Sequence, residues 1–330
     1  MRTTWFTGQM INGDPLSLPS RGTIWALQST LRPLGARLPA NRLGVAGARL
    51  GLALACQLWF DRMLPTTSVD VTTPRGRTAG EWVGVPPRPG RALIYYLHGS
   101  GYVGCSPATH RGLVSELARR LDRPAFTLRY RRAPEHRFPA AHDDVLNGYR
   151  WLLDQGHAAE DIVLMGDSAG GHMALGLCGQ LRELGLPQPK ALIGFSALVD
   201  ATWSLARARR AEVDDAFMTL GLARRMTGLY YGTTHFEDPR MDVAAHVGPD
   251  LPPMLLQAGG SEMLSADAEH YGTAQRAAGG HCEVQLWPGM FHVFQVGHRF
   301  LPEARAALDA VEKFVAEVEN PQVTRGPRTA

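Results

Sequence analysis

The sequence predicts an α/β fold, a mostly parallel sheet of eight strands flanked by helices and covered by a helical cap. Three observations carry that prediction. From about residue 68, short apolar runs alternate with longer stretches of helical spacing, the pattern of a sheet with helices packed on its faces. The pentapeptide Gly166-Asp-Ser-Ala-Gly170 stands between an apolar strand-like run and a helical one. Two purely helical regions, residues 1–62 and 200–247, interrupt the alternation.

The eight strands are read at Val69–Thr72, Glu81–Val85, Ala92–Leu97, Ala125–Arg129, Ile162–Met165, Ala191–Phe195, Met254–Ala258 and Glu283–Trp287. The first two are close enough in sequence to form an antiparallel edge. Helices are expected over 108–121, 141–155, 170–184, 266–278 and 303–318. Over 170–184 the residues Ala174, Leu177, Cys178, Leu181 and Leu184 recur at helical spacing, which sets one face against the sheet. Residues 1–62 read as two helices, about 22–37 and 42–62, separated by Pro39 and Asn41; two more fall near 203–211 and 216–231. The expected organisation is an N-terminal cap part (1–62), a catalytic domain (63–199 and 248–320), an inserted cap part (200–247) and a flexible tail (321–330). Trp25, Leu31, Trp59 and Phe60 are expected either to shape a pocket or to pack the cap down.

At 330 residues, with 45% hydrophobic and 20% charged, the composition is that of a globular chain with one large core and an appendage. The net charge of +3 comes from arginines spread along the chain, since Lys190 and Lys313 are the only lysines. Dispersed arginine excludes a nucleic-acid footprint. The cysteines at 56, 105, 178 and 282 lack the paired spacing of zinc or redox sites. Reduced thiols, and the lack of a signal-peptide pattern, point to a cytoplasmic protein. Leu43 to Phe60 is the most apolar stretch, but Arg49 interrupts it and it is short of a membrane span. A buried or surface-lying helix is expected there, without stable membrane insertion.

The chemistry starts at Ser168. A strand turning sharply into a helix exposes the apical side chain and aims the helix N-terminus at whatever bonds to it. A serine hydroxyl needs a base to take its proton and an acid to orient that base, here expected in the chain order serine, acid, histidine. His292 follows the last predicted strand and is the best placed of twelve histidines. Glu262 follows the strand Met254–Ala258; Asp267, at the start of the next helix, is the alternative acid, better suited to capping. His98-Gly-Ser-Gly101 follows strand 92–97, the position of an oxyanion-binding loop. The amides of Gly99, Ser100 and Ala169 are the expected oxyanion donors, with His98 holding the loop. No metal or organic cofactor is called for.

With these elements, the chain resembles the hormone-sensitive-lipase-like family of α/β-hydrolases, which includes bacterial carboxylesterases and acetyl-hydrolases. Tyr130-Arg-Arg-Ala-Pro-Glu-His-Arg-Phe-Pro-Ala-Ala is similar to the family's YRLAPE-x-x-FPA segment, with Asp144 at its later acidic position. Gly166-Asp-Ser-Ala-Gly-Gly171 matches the nucleophile motif, and Asp238-Pro and Leu251-Pro-Pro resemble the run into the acid-bearing strand. The resemblance covers roughly 65–320. It implies an α/β-hydrolase fold, a two-part cap, and hydrolysis of short- to medium-chain esters with a tilt toward acetyl esters. Two departures stand out. The usual HGGG is His98-Gly-Ser-Gly101, which sets a side chain near the acyl pocket or the oxyanion; the acid, commonly Asp in D-x-L-x-D, is Glu262.

The expected partner is a small-molecule ester, and a homodimer is compatible with the chain. A lactone hydrolase or N-deacetylase would use the same triad. A non-enzymatic ligand-binding member of the fold would lack the histidine that stands at 292. A lipase acting at a membrane surface would use 43–60 as an interfacial helix.

Overall fold

The computed structural model describes residues 9–10, 16–59, 63–232, 236 and 238–320. The expected tail at 321–330 and Phe60 lie outside the described residues, as does the side chain of Trp59.

In chain order, β1 (Gln9–Met10) is followed by α1 (Leu18–Ala26), a π-helical turn at Leu27–Leu31, α2 (Arg32–Arg37) and α3 (Arg42–Trp59). The sheet continues with β2 (Thr66–Thr73), β3 (Gly76–Val83), β4 (Leu93–Leu97), α4 (Pro107–Arg120), β5 (Ala125–Leu128) and α5 (Ala140–Asp154). Then come β6 (Ile162–Asp167), α6 (Ala169–Glu183) and β7 (Ala191–Phe195). An insertion with α7 (Ser204–Arg209) and α8 (Leu220–Tyr231) precedes β8 (Met254–Gly259), α9 (Ser265–Ala277), β9 (Cys282–Trp287) and α10 (Pro302–Glu319).

The sheet order is β1-β9-β8-β7-β6-β4-β5-β3-β2. Pairings are parallel except at the edge, where β3 runs antiparallel to both β2 and β5. All eight expected strands are present. The ninth, β1, is two residues long and pairs with Gln285 and Leu286; so short a segment has no periodicity to read.

The central strands are predominantly apolar because both faces are covered. Alternate residues go to opposite sides. Tyr95, Leu164, Leu192 and Leu256 join Val145, Tyr149, Leu177 and Cys178 of α5 and α6 in one core. Ile94, Val163, Ile193 and Leu255 join Leu113 and Leu117 of α4 and Leu308 and Val311 of α10 in the other. Leu184 departs from the expected face: it is the C-cap of α6 and half-exposed.

The two helical regions meet in space. Asp214 pairs with Arg32 at 2.6 Å and accepts from Gln28 Nε2 at 3.0 Å, while Arg225 donates to Ala36 O at 2.8 Å. Ser17 and Ser20 tie α1 to Glu303 of α10. Trp25 and Leu31 are 70% and 50% exposed, so neither packs the cap down as a buried side chain.

Candidate active site

Four sheet connections converge at the carboxyl ends of the strands. Ser168 joins β6 to α6 with φ 52° and ψ −120°, a conformation disfavoured for a side-chain-bearing residue. Surrounding bonds hold it: its N–H donates to Phe195 O at 2.9 Å and its carbonyl accepts from Leu198 N at 3.1 Å. The flanking glycines are needed for space. A Cβ on Gly170 would lie 2.0 Å from Leu97 O, and one on Gly166 would lie 2.6 Å from Gly170.

His292, in the loop after β9, places Nε2 3.0 Å from Ser168 Oγ. Its Nδ1 is 2.5 Å from Glu262 Oε2. Glu262 is fully buried, and its other oxygen accepts from Ser196 Oγ at 2.6 Å and Gly259 N at 2.7 Å. Ser196 Oγ also accepts Val293 N at 2.9 Å, next to the imidazole. Burial opposes protonation of His292, but the charge and hydrogen bond of Glu262, with help from Asp215 and Asp167, hold its pKa above the usual 6.5. A carboxylate on one ring nitrogen and a hydroxyl on the other make the imidazole a proton acceptor for that hydroxyl.

Asp267, the alternative acid, is occupied elsewhere. Its Oδ1 accepts the amides of Val199 at 2.8 Å and Asp200 at 2.9 Å, fastening the loop that follows β7 rather than capping its own helix. Burial pushes its pKa up to about 7, against those two backbone donors.

The loop after β4 corrects one expectation. Gly99 N–H is not directed to a ligand; it donates to Asp167 Oδ1 at 3.0 Å. The reason is steric as well as electrostatic. Gly99 sits so close to the elbow that a Cβ on it would lie 2.2 Å from Asp167 Oδ2 and 3.0 Å from Ser168 Cβ. The amides of Ser100, Gly101 and Ala169 donate to no protein group among the described residues. Ser100 turns its hydroxyl over Gly104, where an added Cβ would meet it at 2.1 Å with Leu52 of α3 nearby. His98 is buried against Tyr130, whose hydroxyl donates to His98 O at 2.7 Å. Burial first, then the neighbouring His110, pulls the His98 pKa down to about 3, so the ring is a neutral brace.

Several residues at the site escaped the sequence reading. Asp167 stands inside the quoted pentapeptide, yet its role appears only from its contacts: Tyr96 OH at 2.9 Å, the Gly99 amide and His110 at 3.2 Å. Those partners hold its pKa below the usual value despite complete burial. Ser196 follows a strand at the sheet's carboxyl edge, which is the one available signal for it. Asp215 and Phe217 come from the insertion and carry no local signal. Asp215 accepts from the amides of Phe217, Met218 and Met263 at 3.0, 2.8 and 3.2 Å. The Phe217 ring lies nearly parallel to that of His292, 6.2 Å between centroids. Among the described residues, no group of three His, Cys, Asp or Glu side chains is arranged to hold a metal ion.

A sequence profile described as the alpha/beta hydrolase fold matches residues 94–296. The chain is 37% identical to an acetyl-hydrolase of Streptomyces hygroscopicus over 248 residues, covering 73% of this chain and 80% of that protein. It is 35% identical to esterase LipU of Mycobacterium tuberculosis over 247 residues, covering 71% and 81%. An esterase of the bacterial hormone-sensitive lipase family superposes with a TM-score of 0.80 at 29% identity, over 92% of this chain and 99% of the other. EstE5, in crystals soaked with p-nitrophenyl butyrate, gives 0.79 at 32% identity over the same shares. The chain therefore belongs to the α/β-hydrolase family, in its bacterial hormone-sensitive-lipase branch of carboxylic ester hydrolases.

Proposed function

We propose that this chain is a serine carboxylesterase that hydrolyses short- to medium-chain esters, acetyl esters among them, through an acyl-enzyme. The observation that carries this reading is the unbroken line Ser168 Oγ, His292 and Glu262, with links of 3.0 and 2.5 Å. Ser168 Oγ attacks the ester carbonyl while His292 Nε2 takes its proton. Glu262 holds Nδ1–H and stabilises the imidazolium that results. The amides of Ser100, Gly101 and Ala169 receive the oxyanion, while Gly99 supports the loop through Asp167. His292 then protonates the departing alcohol and later activates the water that releases the acid. The names of the acetyl-hydrolase relative and of an ethyl acetate hydrolase of Pseudomonas putida, 29% identical over 73% of this chain, support the acetyl end of the range.

Ser168→Ala is the decisive test. Hydrolysis of p-nitrophenyl acetate and butyrate should fall to the residual level left by binding and oxyanion stabilisation, and fluorophosphonate labelling should vanish. Unchanged hydrolysis by that variant overturns the assignment. Comparison of acetate, butyrate and octanoate esters then sizes the acyl pocket. No described helix is long and apolar enough to cross a membrane. Cys178 and Cys282 are free thiols, which supports a cytoplasmic home for the enzyme.

A further inference from the structure

Helix α3 is apolar on its outer side, where a surface helix is ordinarily polar. Between Leu43 and Leu54 the exposed residues are Leu43, Ala46, Gly47, Leu50, Gly51 and Leu54. Steps of three and four residues set all six on one side of the helix. The three leucines are 84%, 63% and 53% exposed, so this is open hydrocarbon and not a partly covered seam. The inner side carries the polar anchor. Arg49 donates to Val103 O and Ala133 O, each at 2.7 Å, and pairs with Glu135 at 2.9 Å.

Charge narrows the choice of what this face meets. Residues 16–59 include Arg21, Arg32, Arg37, Arg42 and Arg49 and no aspartate or glutamate. Arg32 and Arg49 are paired with acids from elsewhere in the chain. Arg21, Arg37 and Arg42 are exposed, and Arg225 of α8 lies against α2 through Ala36 O. A second copy docked face to face about a two-fold axis would set this arginine-rich region against itself. A surface offering hydrocarbon and negative charge together complements it on both counts.

We propose that the Leu43–Leu54 face of α3, with Arg37 and Arg42 beside its N-terminus, docks on anionic phospholipid bilayers. The helix lies in the interface, apolar side down. The position has a consequence for chemistry, because Leu52 of the same helix lies beside Ser100 and Gly104 of the loop next to Ser168. A bilayer on the outer face stands one helix away from the candidate site.

The test is flotation of the full chain with vesicles of phosphatidylcholine alone or mixed with phosphatidylglycerol. The wild type should float with the mixed vesicles and much less with phosphatidylcholine, and added salt should weaken the binding. Replacing Leu43, Leu50 and Leu54 together by serine should cut partitioning by about tenfold for each leucine. R37Q/R42Q should cut it by about fivefold for each arginine, on mixed vesicles only. Both variants should hydrolyse dissolved p-nitrophenyl acetate like the wild type, a readout that also shows that they fold. Failure of the wild type to float with mixed vesicles overturns the proposal, as does flotation unaffected by the serine substitutions. A wild-type dimer in sedimentation that the triple-serine variant converts to monomer assigns the face to a second copy instead.

Discussion

Asp167 Oδ1 accepts the backbone N–H of Gly99 at 3.0 Å, so the acid beside Ser168 also anchors the loop that approaches it from β4. The same oxygen accepts the Tyr96 hydroxyl and lies 3.2 Å from His110 Nε2. One buried carboxylate thus sets the distance between the elbow and the candidate oxyanion amides.

Asp167→Ala should damage both stability and turnover. It strips the acceptor from the buried Tyr96 hydroxyl and the Gly99 amide, at about 1–3 kcal/mol for each donor left unsatisfied. A loop that no longer holds its amides in place should lower kcat by about 10²–10³, the cost of losing one oxyanion donor. Asp167→Asn keeps an acceptor oxygen and should be milder. Thermal melting and turnover of p-nitrophenyl butyrate report the two effects separately.

Activity should depend on pH through His292. The imidazole must be neutral to take the Ser168 proton, and its pKa lies above the ordinary 6.5. The kcat/KM profile should therefore fall on the acid side with an apparent pKa above that value. Glu262→Gln removes the carboxylate's charge, so the acid limb should move to lower pH. The maximum should drop by roughly 10⁴, as when the orienting acid of a triad becomes an amide. A pH–rate profile of both proteins checks position and height together.

Asp215→Ala should act mainly on substrate enclosure. Its carboxylate binds the amides of Phe217 and Met218 within the insertion and that of Met263 beside Glu262. Freeing that turn loosens the Phe217 ring over His292. KM for butyrate esters should rise about fivefold, the equivalent of roughly 1 kcal/mol of lost contact, while kcat changes less. Phe217→Ala should move KM the same way and favour longer acyl chains. An acyl-length series on both variants tests this.

Acid should destabilise the fold through three buried histidines. Burial pulls the pKa of His98 down to about 3 and that of His172 to about 4, and that of His142 falls well below 6.5. A lowered folded pKa gives stability that is complete above 6.5 and lost as pH falls toward the folded value. Each histidine should therefore remove up to about 1.4 kcal/mol per pH unit below 6.5. Urea unfolding at neutral pH and at about pH 5 should show the loss.

What was legible in the residues was local or periodic. Strand β6, the turn at Ser168 and helix α6 are contiguous, so glycine spacing and apolar pattern specify them together. Glu262 and His292 were readable because loops after consecutive strands reach the same sheet edge. The alternative acid, Asp267, could be weighed only by its place at a helix start; the amides of Val199 and Asp200 that occupy it come from the loop after another strand. Trp25 and Leu31 show the limit of hydrophobicity as a guide, since an apolar side chain does not announce what will cover it.

By itself the sequence determined the α/β class and pointed to Ser168, His292 and a choice of Glu262 or Asp267 as candidates, because each follows from a pattern within one or two elements. Tertiary structure alone decided which amides stay open. Gly99 is claimed by Asp167 across 68 residues, and Ser196, Asp215 and Phe217, all in the long connection between β7 and β8, reach Glu262 and His292 from tens of residues away. The physical reason is that a hydrogen bond is satisfied by whichever partner folding brings within about 3 Å, and that proximity is a property of the packed sheet and not of neighbouring residues.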